Sequence, residues 1–354
     1  RFKSYPRNHQ SLDCVGVLLY TNHSTMNPFF DSVIILFLIA AITLAVGLLR
    51  DRARPKTWES RHTRLTACVA VLSCCSAVLV FWGSFIEPRL ITINRVAIDL
   101  PNFEPTKPVR VALISDIHVG TYKKDGWLRR ISERIIAEKP DLVLLAGDFI
   151  VNKKEHTKYL SAFSDLTARI PTYGVLGDHD YLVNKSALTI DEDVANIVRE
   201  VLTSAGVHVM SNEAIPFTIN DAVFTLAGLD DWLAGKTNMT QALARVPTYL
   251  PTFVPNHLNT FVPKIVLVHN PDFILDPESK NADLILAGNT HGGQIRLPFI
   301  GPIARLPSKL PRTFDKGLFT LTNSTRLFIT SGISESGPRA RLFNPPEIVI
   351  ISLY

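Results

Sequence analysis

Residues 109–118 read VRVALISDIH, a nearly continuous apolar run that stops at Asp116 and His118. A short run of this kind suits a strand covered on both faces. The pattern recurs down the chain. Leu142–Ala146 leads into Gly147 and Asp148, and Tyr173–Leu176 into Gly177, Asp178, His179 and Asp180. Lys264–His269 leads into Asn270, and Asp283–Ala287 into Gly288, Asn289, Thr290, His291, Gly292 and Gly293. Between the early runs the apolar period becomes helical: Leu128, Ile131 and Ile135 follow Asp125, a candidate cap, and Val194, Ile197 and Val201 mark a second helix. Further strands are expected at Ala222–Ala227, Arg326–Ser331 and Glu347–Leu353. Strand–helix alternation followed by strand-rich sequence predicts an α/β domain with mixed sheets over residues 109–354.

Ligands of open α/β sheets bind at the carboxyl ends of strands, and here those ends deliver Asp, His and Asn. One strand-end Asp is ordinarily a turn or helix cap, and one His an exposed or satisfied residue; the whole series in this order is poorly explained that way. Mixed imidazole and carboxylate ligands suit divalent cations such as Zn, Mn or Fe. Every cysteine (Cys14, Cys68, Cys74, Cys75) lies before the domain, so a thiolate site there is excluded. A carboxylate can bridge two cations, and two cations roughly 3.5–4 Å apart clamp a phosphoryl group for in-line displacement.

The order D-x-H, G-D, G-N-H-[DE], H, G-H-x-H resembles the signature of calcineurin-like metallophosphoesterases. It stands here as Asp116-Ile117-His118, Gly147-Asp148, Gly177-Asp178-His179-Asp180, His269 and Gly288-Asn289-Thr290-His291. The words around His269 (His269-Asn270-Pro271-Asp272) and His291 (Thr290-His291-Gly292-Gly293-Gln294-Ile295), with Asn344-Pro345-Pro346-Glu347, are similar to the membrane-associated bacterial phosphodiesterases of the YkuE and YaeI type. The resemblance implies a four-layer α/β/β/α sandwich and a two-metal phosphoesterase. It implies that Asp116, His118 and His291 bind one cation, that Asp148 bridges, and that Asp178, His269 and Asn289 bind the other. His179 would face the scissile phosphate, with Asp180 orienting its ring, and a hydroxide bridging the metals would attack. Two positions depart from the family: Asp178 replaces the usual Asn, and Asn289 replaces the usual His. Together they make the second site harder and richer in oxygen, favouring Mn or Mg over Zn. A degenerate phosphoesterase acting as a binding or sensor protein is the non-enzyme alternative that these departures raise.

Upstream, Ser32–Leu49 and Thr66–Ile86 are uncharged apolar runs long enough to span roughly 30 Å of hydrocarbon. Residues 29–90 are therefore expected to form a transmembrane hairpin, residues 1–28 an extension without fold, and residues 91–108 a linker. Residues 1–25 precede the first methionine, Met26. Arg50, Arg52, Arg54, Lys56, Arg61 and Arg64 crowd the short loop between the runs. Under the positive-inside rule this loop is cytoplasmic and the catalytic domain extracytoplasmic. The net charge of +5 suits an anionic substrate or lipid surface and is too small, without a basic and aromatic stripe, to indicate nucleic acid. A membrane-held enzyme acting on a phosphodiester or phosphomonoester, lipid-linked in the fullest form of the reading, is the expected function. The enzyme alternative that the family supplies, a UDP-2,3-diacylglucosamine pyrophosphatase of lipid A synthesis, needs a cytoplasmic site.

Other residues carry weaker signals. Arg339 and Arg341 lie in a Gly/Ser/Pro-rich loop and are candidate phosphate grips. Asp230 and Asp231 suit capping or support of the metal loops. His156 and His208 have no motif partners. Phe299, Ile300, Pro302, Ile303 and Leu306 form an apolar stretch suited to a lipid-facing groove or to core packing.

Overall fold

The structure is a computed structural model that describes residues 23–101, 103–184, 187, 189–244 and 262–354, with side chains from residue 29 onward. Of the expected extension, residues 1–22 and with them Cys14 lie outside the described residues. From His23 on the chain is helical rather than without fold, so α1 (His23–Arg52) begins earlier than the apolar run.

The α/β/β/α expectation describes what is seen. One six-stranded sheet has the order β1 (Thr92–Ile98), β14 (Glu347–Leu353), β2 (Val109–Ile114), β3 (Leu142–Ala146), β4 (Thr172–Val175), β5 (His208–Val209). The other runs β12 (Gly317–Thr320), β13 (Arg326–Ile329), β9 (Leu284–Ala287), β8 (Lys264–Leu267), β7 (Ala222–Gly228), β6 (Glu213–Ile219). Side chains alternate faces along each strand. Leu113, Leu144, Leu267, Leu286, Phe328 and Ile351 meet between the sheets. Their neighbours Ala112, Val143 and Ile350 face the helical layer of α3 (Asp125–Glu138) and α4 (Glu192–Ser204). On the opposite outer face, Val266, Ile285 and Ile329 pack with Met239 and Ala242 of the short α5 (Met239–Ala244). Burial on both faces explains why these strands read as continuous apolar runs rather than alternating ones.

Some local expectations shift. Asp125 is the first residue inside α3, and Lys124 takes the cap position without a side-chain cap bond. The stretch 91–108 contains an edge strand, β1, which pairs in parallel with β14 from Thr92↔Glu347 to Ile98↔Leu353. The second apolar helix, α2 (Thr63–Phe81), continues through a π turn to Ile86 and a 3-10 turn to Arg89.

Phe29–Arg52 and Thr63–Arg89 are long and apolar enough to cross a membrane. The two helices meet through small residues: Ala41, Ala45, Ala70 and Ala77 are buried, and Ser73 Oγ donates to the Ala41 carbonyl at 2.8 Å. Leu36, Ile39, Leu72 and Val78 point outward. Close backbone approach over small residues with large apolar ones outside is how helices associate in lipid. Cys68, Cys74 and Cys75 are exposed on this outer surface.

The hairpin is docked on the α/β domain. Glu87 Oε1 accepts from the Asn344 amide at 2.5 Å, and the Gly83 carbonyl from the Arg341 amide at 2.8 Å. Asp31 accepts from Tyr122 Oη at 2.8 Å and ion-pairs with Arg339 at 3.1 Å.

Candidate metal centre

The loops after β2, β3, β4, β8 and β9 meet at one edge of the two sheets. Their backbones are forced into unusual shapes there. Asp116, His118, Asp148, Asn289 and His291 have φ of 54°, 43°, 58°, 66° and 51°. Left-handed backbone costs an L-residue about 1–2 kcal/mol, so these turns hold only because the surroundings over-determine them. Asp116 N donates to the Gly147 carbonyl at 3.1 Å, His118 N to Asp148 O at 2.9 Å, and Ser334 N to Asp116 O at 2.9 Å. Two glycines allow the close approach. A Cβ on Gly177 would lie 2.3 Å from Asp148 Oδ1, and one on Gly147, itself at φ +84°, would lie 2.9 Å from His269 Nδ1.

Three imidazoles are fixed in the same way. His118, His269 and His291 donate through Nδ1 to the carbonyls of Ile150 (3.3 Å), Ala146 (2.7 Å) and Ser334 (2.9 Å). That leaves each Nε2 turned inward, the arrangement that backbone carbonyls impose on metal-binding histidines. His291 Nε2 lies 3.3 Å from Asp116 Oδ1 and 3.3 Å from His118 Nε2. Asp148 Oδ2 lies 3.5 Å from His118 Nε2 and 3.2 Å from His269 Nε2, which is 3.6 Å from Asp178 Oδ1. Asp148 thus sits between an Asp116–His118–His291 group and a His269–Asp178 group. Asn289 borders the cluster, its backbone amide donating to Asp116 Oδ2 at 3.1 Å and its side-chain amide to the Pro307 carbonyl at 3.0 Å.

Asp116 Oδ1 and His269 Nε2 are buried without a hydrogen-bond partner among the described residues. Sets of ligand atoms from Asp116, His118 and His291, from His118, Asp148 and His179, and from Asp116, Asp148 and His269 each lie within 4.8 Å of one another. Burial, reinforced by His179, lowers the His118 pKa to about 3; burial lowers that of His291 to about 4, against the pull of Asp116. Both rings are therefore neutral and able to coordinate at physiological pH. Burial works against the charged forms of Asp148 and His269 alike, but each outweighs it for the other: Asp148 is held well below the usual carboxylate range and His269 well above the imidazole range. A cation between them would replace the proton on His269. Converging acceptors, neutral imidazoles and buried carboxylates fit divalent cations.

His179 donates through Nδ1 to the Val151 carbonyl, and its Nε2 lies 3.5 Å from Ser336 Oγ. Its ring packs edge-on against His118 at 4.6 Å. The expectation that Asp180 orients this ring is corrected. Asp180 is fully buried and accepts from three backbone amides, Phe149 (2.8 Å), Ile150 (3.2 Å) and Gly177 (3.0 Å). It ties the Asp148 loop to the Asp178 loop, while the Val151 carbonyl sets the ring. Burial, then repulsion from Asp148, raises its pKa to about 7.

Of the two arginines, Arg341 differs from expectation. Arg341 is enclosed, and its guanidinium donates to the carbonyls of Asn344, Ser331, Gly332 and Ser334, so it holds the loop and is not exposed to grip a phosphate. Arg339 lies at the mouth of a cleft shared with His118, Tyr122, Lys123 and Glu335, stacked on Phe85 and Tyr122. His208 pairs with Glu213 on the surface at 2.9 Å.

Other residues near the cluster had little sequence signal. Lys123, buried beside Glu335 at 2.9 Å, has its pKa lowered by burial to about 8. Asp231 is fully buried with Oδ2 unpartnered among the described residues; burial and then Asp178 hold its pKa well above the carboxylate range. Asp230 instead ties Tyr181 Oη at 2.7 Å.

A buried cluster of this kind, at the carboxyl edge of paired mixed sheets, defines a divalent-metal hydrolase. The family model for calcineurin-like phosphoesterase matches residues 109–293, and the chain belongs to that family, hydrolases acting on phosphoric ester bonds. It is 31% identical over 255 residues to phosphodiesterase YaeI of Escherichia coli, covering 70% of this chain and 82% of that protein. It is 28% identical over 331 residues to UDP-2,3-diacylglucosamine pyrophosphatase LpxG of Chlamydia muridarum, covering 81% of this chain and 95% of that one. An uncharacterised metallophosphoesterase of Campylobacter jejuni is 30% identical over 264 residues, which span 74% of this chain and only 63% of that relative.

Proposed function

We propose that this protein is a membrane-anchored metallophosphoesterase that hydrolyses a phosphodiester or phosphomonoester of a lipid-linked substrate. In this reading Asp116, His118 and His291 hold one cation, Asp178, His269 and Asn289 the other, and Asp148 both. The cations supply charge neutralisation and water activation. The protein's own contribution is positional. Backbone carbonyls fix the imidazoles, His179 presents Nε2 to the leaving group as a proton donor or charge stabiliser, and Asp180 braces the loops. Asp178 and Asn289 favour Mn or Mg over Zn at the second position.

The observation that carries the lipid-linked reading is the docking of the hairpin on the site's mouth. Asp31, at the outer end of α1, meets Tyr122 and Arg339, which border the cleft containing His118. A headgroup leaving the bilayer beside these helices would reach Arg339 first. Its test compares phosphate esters of diacylglycerol in vesicles with soluble nucleotides and aryl phosphates. Preference for the vesicle substrate is expected, and faster turnover of the soluble esters would count against it.

The likeness to LpxG covers a larger share of this chain than residues 109–354 make up, and so favours a second reading, a pyrophosphatase acting on a nucleotide-linked diacyl sugar. That substrate demands a cytoplasmic site, whereas the basic loop between α1 and α2 favours an extracytoplasmic one. A C-terminal reporter active only outside the cytoplasm separates the two.

A further inference from the structure

The metal-binding loop at His291 runs directly into a two-stranded hairpin, β10 (Arg296–Leu297) and β11 (Gly301–Pro302), whose tip is unusually apolar and unusually bare. Phe299 is 111% exposed and Ile300 66%, with Ile303 at 55% just beyond. Phe299 also has φ +67°, a strained backbone for an aromatic residue. Phe343, 52% exposed, lines the same open groove from the neighbouring loop. Nothing in folding is gained by holding these side chains in water, and they form a contiguous patch rather than scattered residues. Exposed Arg312 borders the groove together with Arg296 and Asp315.

The position of the hairpin says what covers it. Arg296 N donates to the Leu342 carbonyl at 2.9 Å, and Leu342 N to the Gln294 carbonyl at 3.1 Å. The adjoining Arg341 is bonded to Gly83, in the π turn of the last part of the second apolar segment, one residue after Trp82. Phe343 follows directly. The apolar patch is therefore continuous with the end of the anchor, at the level where an indole sits in an interface. An apolar tip with arginines beside it matches the chemistry of an anionic headgroup layer over acyl chains.

Resting on the anchor reading above, we propose that the tip of this hairpin, together with Phe343, inserts into the leaflet from which α1 and α2 emerge, as a third membrane contact. It would hold the metal loop, whose His291 lies eight residues before Phe299, at headgroup depth.

The test uses the full chain with Cys14, Cys68, Cys74 and Cys75 changed to Ser and a single Phe299→Cys carrying an environment-sensitive nitrobenzoxadiazole label. The protein is reconstituted in vesicles of equal parts phosphatidylcholine and phosphatidylglycerol. A control carries the label at Asn323→Cys, in the turn before β13, at the sheet end away from the metal loops. Retained hydrolysis of bis-p-nitrophenyl phosphate shows that each labelled protein is folded. Blue-shifted emission at position 299, quenched by lipids with a doxyl group high on the acyl chain, is expected, with water-like unquenched emission at 323. If the protein floats with vesicles after carbonate washing but the 299 label stays water-like, the insertion is wrong and the anchor stands. A blue shift without doxyl quenching means that protein, such as a second copy, covers the tip, and also overturns the proposal. Failure to float removes the anchor reading and the insertion with it.

Discussion

Replacing Asp180 with Ala tests whether this carboxylate braces the backbone or serves the His179 ring. The side chain is 0% exposed and accepts from the amides of Phe149, Ile150 and Gly177 at 2.8, 3.2 and 3.0 Å. Without it three buried N–H groups lose their partner. An unsatisfied buried donor costs about 1–3 kcal/mol. Allowing for water entering the space, the loss should total about 3–5 kcal/mol, a large part of a domain's about 5–15 kcal/mol. With a urea slope of about 3 kcal/mol per M, the unfolding midpoint of the protein in detergent should fall by about 1 M or more. Asp180→Asn keeps one acceptor oxygen and should lose about half as much. Because the Val151 carbonyl fixes the ring, Asp180→Asn should retain kcat within about tenfold of the parent at 25 °C. An unchanged midpoint in Asp180→Ala combined with a selective collapse of kcat would refute the brace and restore the ring-orienting role.

Gly177→Ala would place a methyl 2.3 Å from Asp148 Oδ1 and 2.6 Å from its backbone nitrogen, with no flexible neighbour to yield. Metal content measured by mass spectrometry should fall, and activity should drop by about a hundredfold or more; full occupancy would mean that the loops adapt freely. The paired change Asp178→Asn with Asn289→His should shift the preferred ion from Mn toward Zn, read from activity after chelation and reloading, and an unchanged preference would remove these residues from the second site. The pKa values of His118 and His291 are depressed in the folded protein, to about 3 and about 4. The unfolded chain therefore binds protons first, and their contribution to the stability of the chelated protein is present above pH about 6.5 and lost as the pH falls toward 4. His291→Gln should flatten that acid slope in thermal unfolding, and an unaltered slope would exclude it as a source.

Much of the fold was legible because β2, β3, β8 and β9 are buried on both faces and give continuous apolar runs, each ending at a ligand-type residue. β5, β10 and β11 are only two residues long and leave no period to read. β1 was hidden in a proline-containing stretch because it is an edge strand with mostly half-exposed residues. The order of Asp, His and Asn residues located the cluster, but motif spacing does not show which atom a side chain turns toward. Asp180 belongs to the motif yet reaches backbone amides. Arg341, placed by sequence on a loop that looked exposed, is enclosed by four carbonyls. Lys123 comes to the site through tertiary packing alone. The docking of Asp31 on Tyr122 and Arg339 joins residues far apart in sequence and had no local signal.

The most direct test of the metal-centre account is the metal content of the purified full-length protein, measured with its hydrolysis of bis-p-nitrophenyl phosphate, beside an Asp148→Ala variant. Two divalent ions per chain, hydrolysis abolished by chelation and restored by Mn, and loss of both binding and turnover in the variant are predicted. A folded protein that turns over the ester without metal, or keeps two ions and full activity after Asp148 is removed, would contradict it.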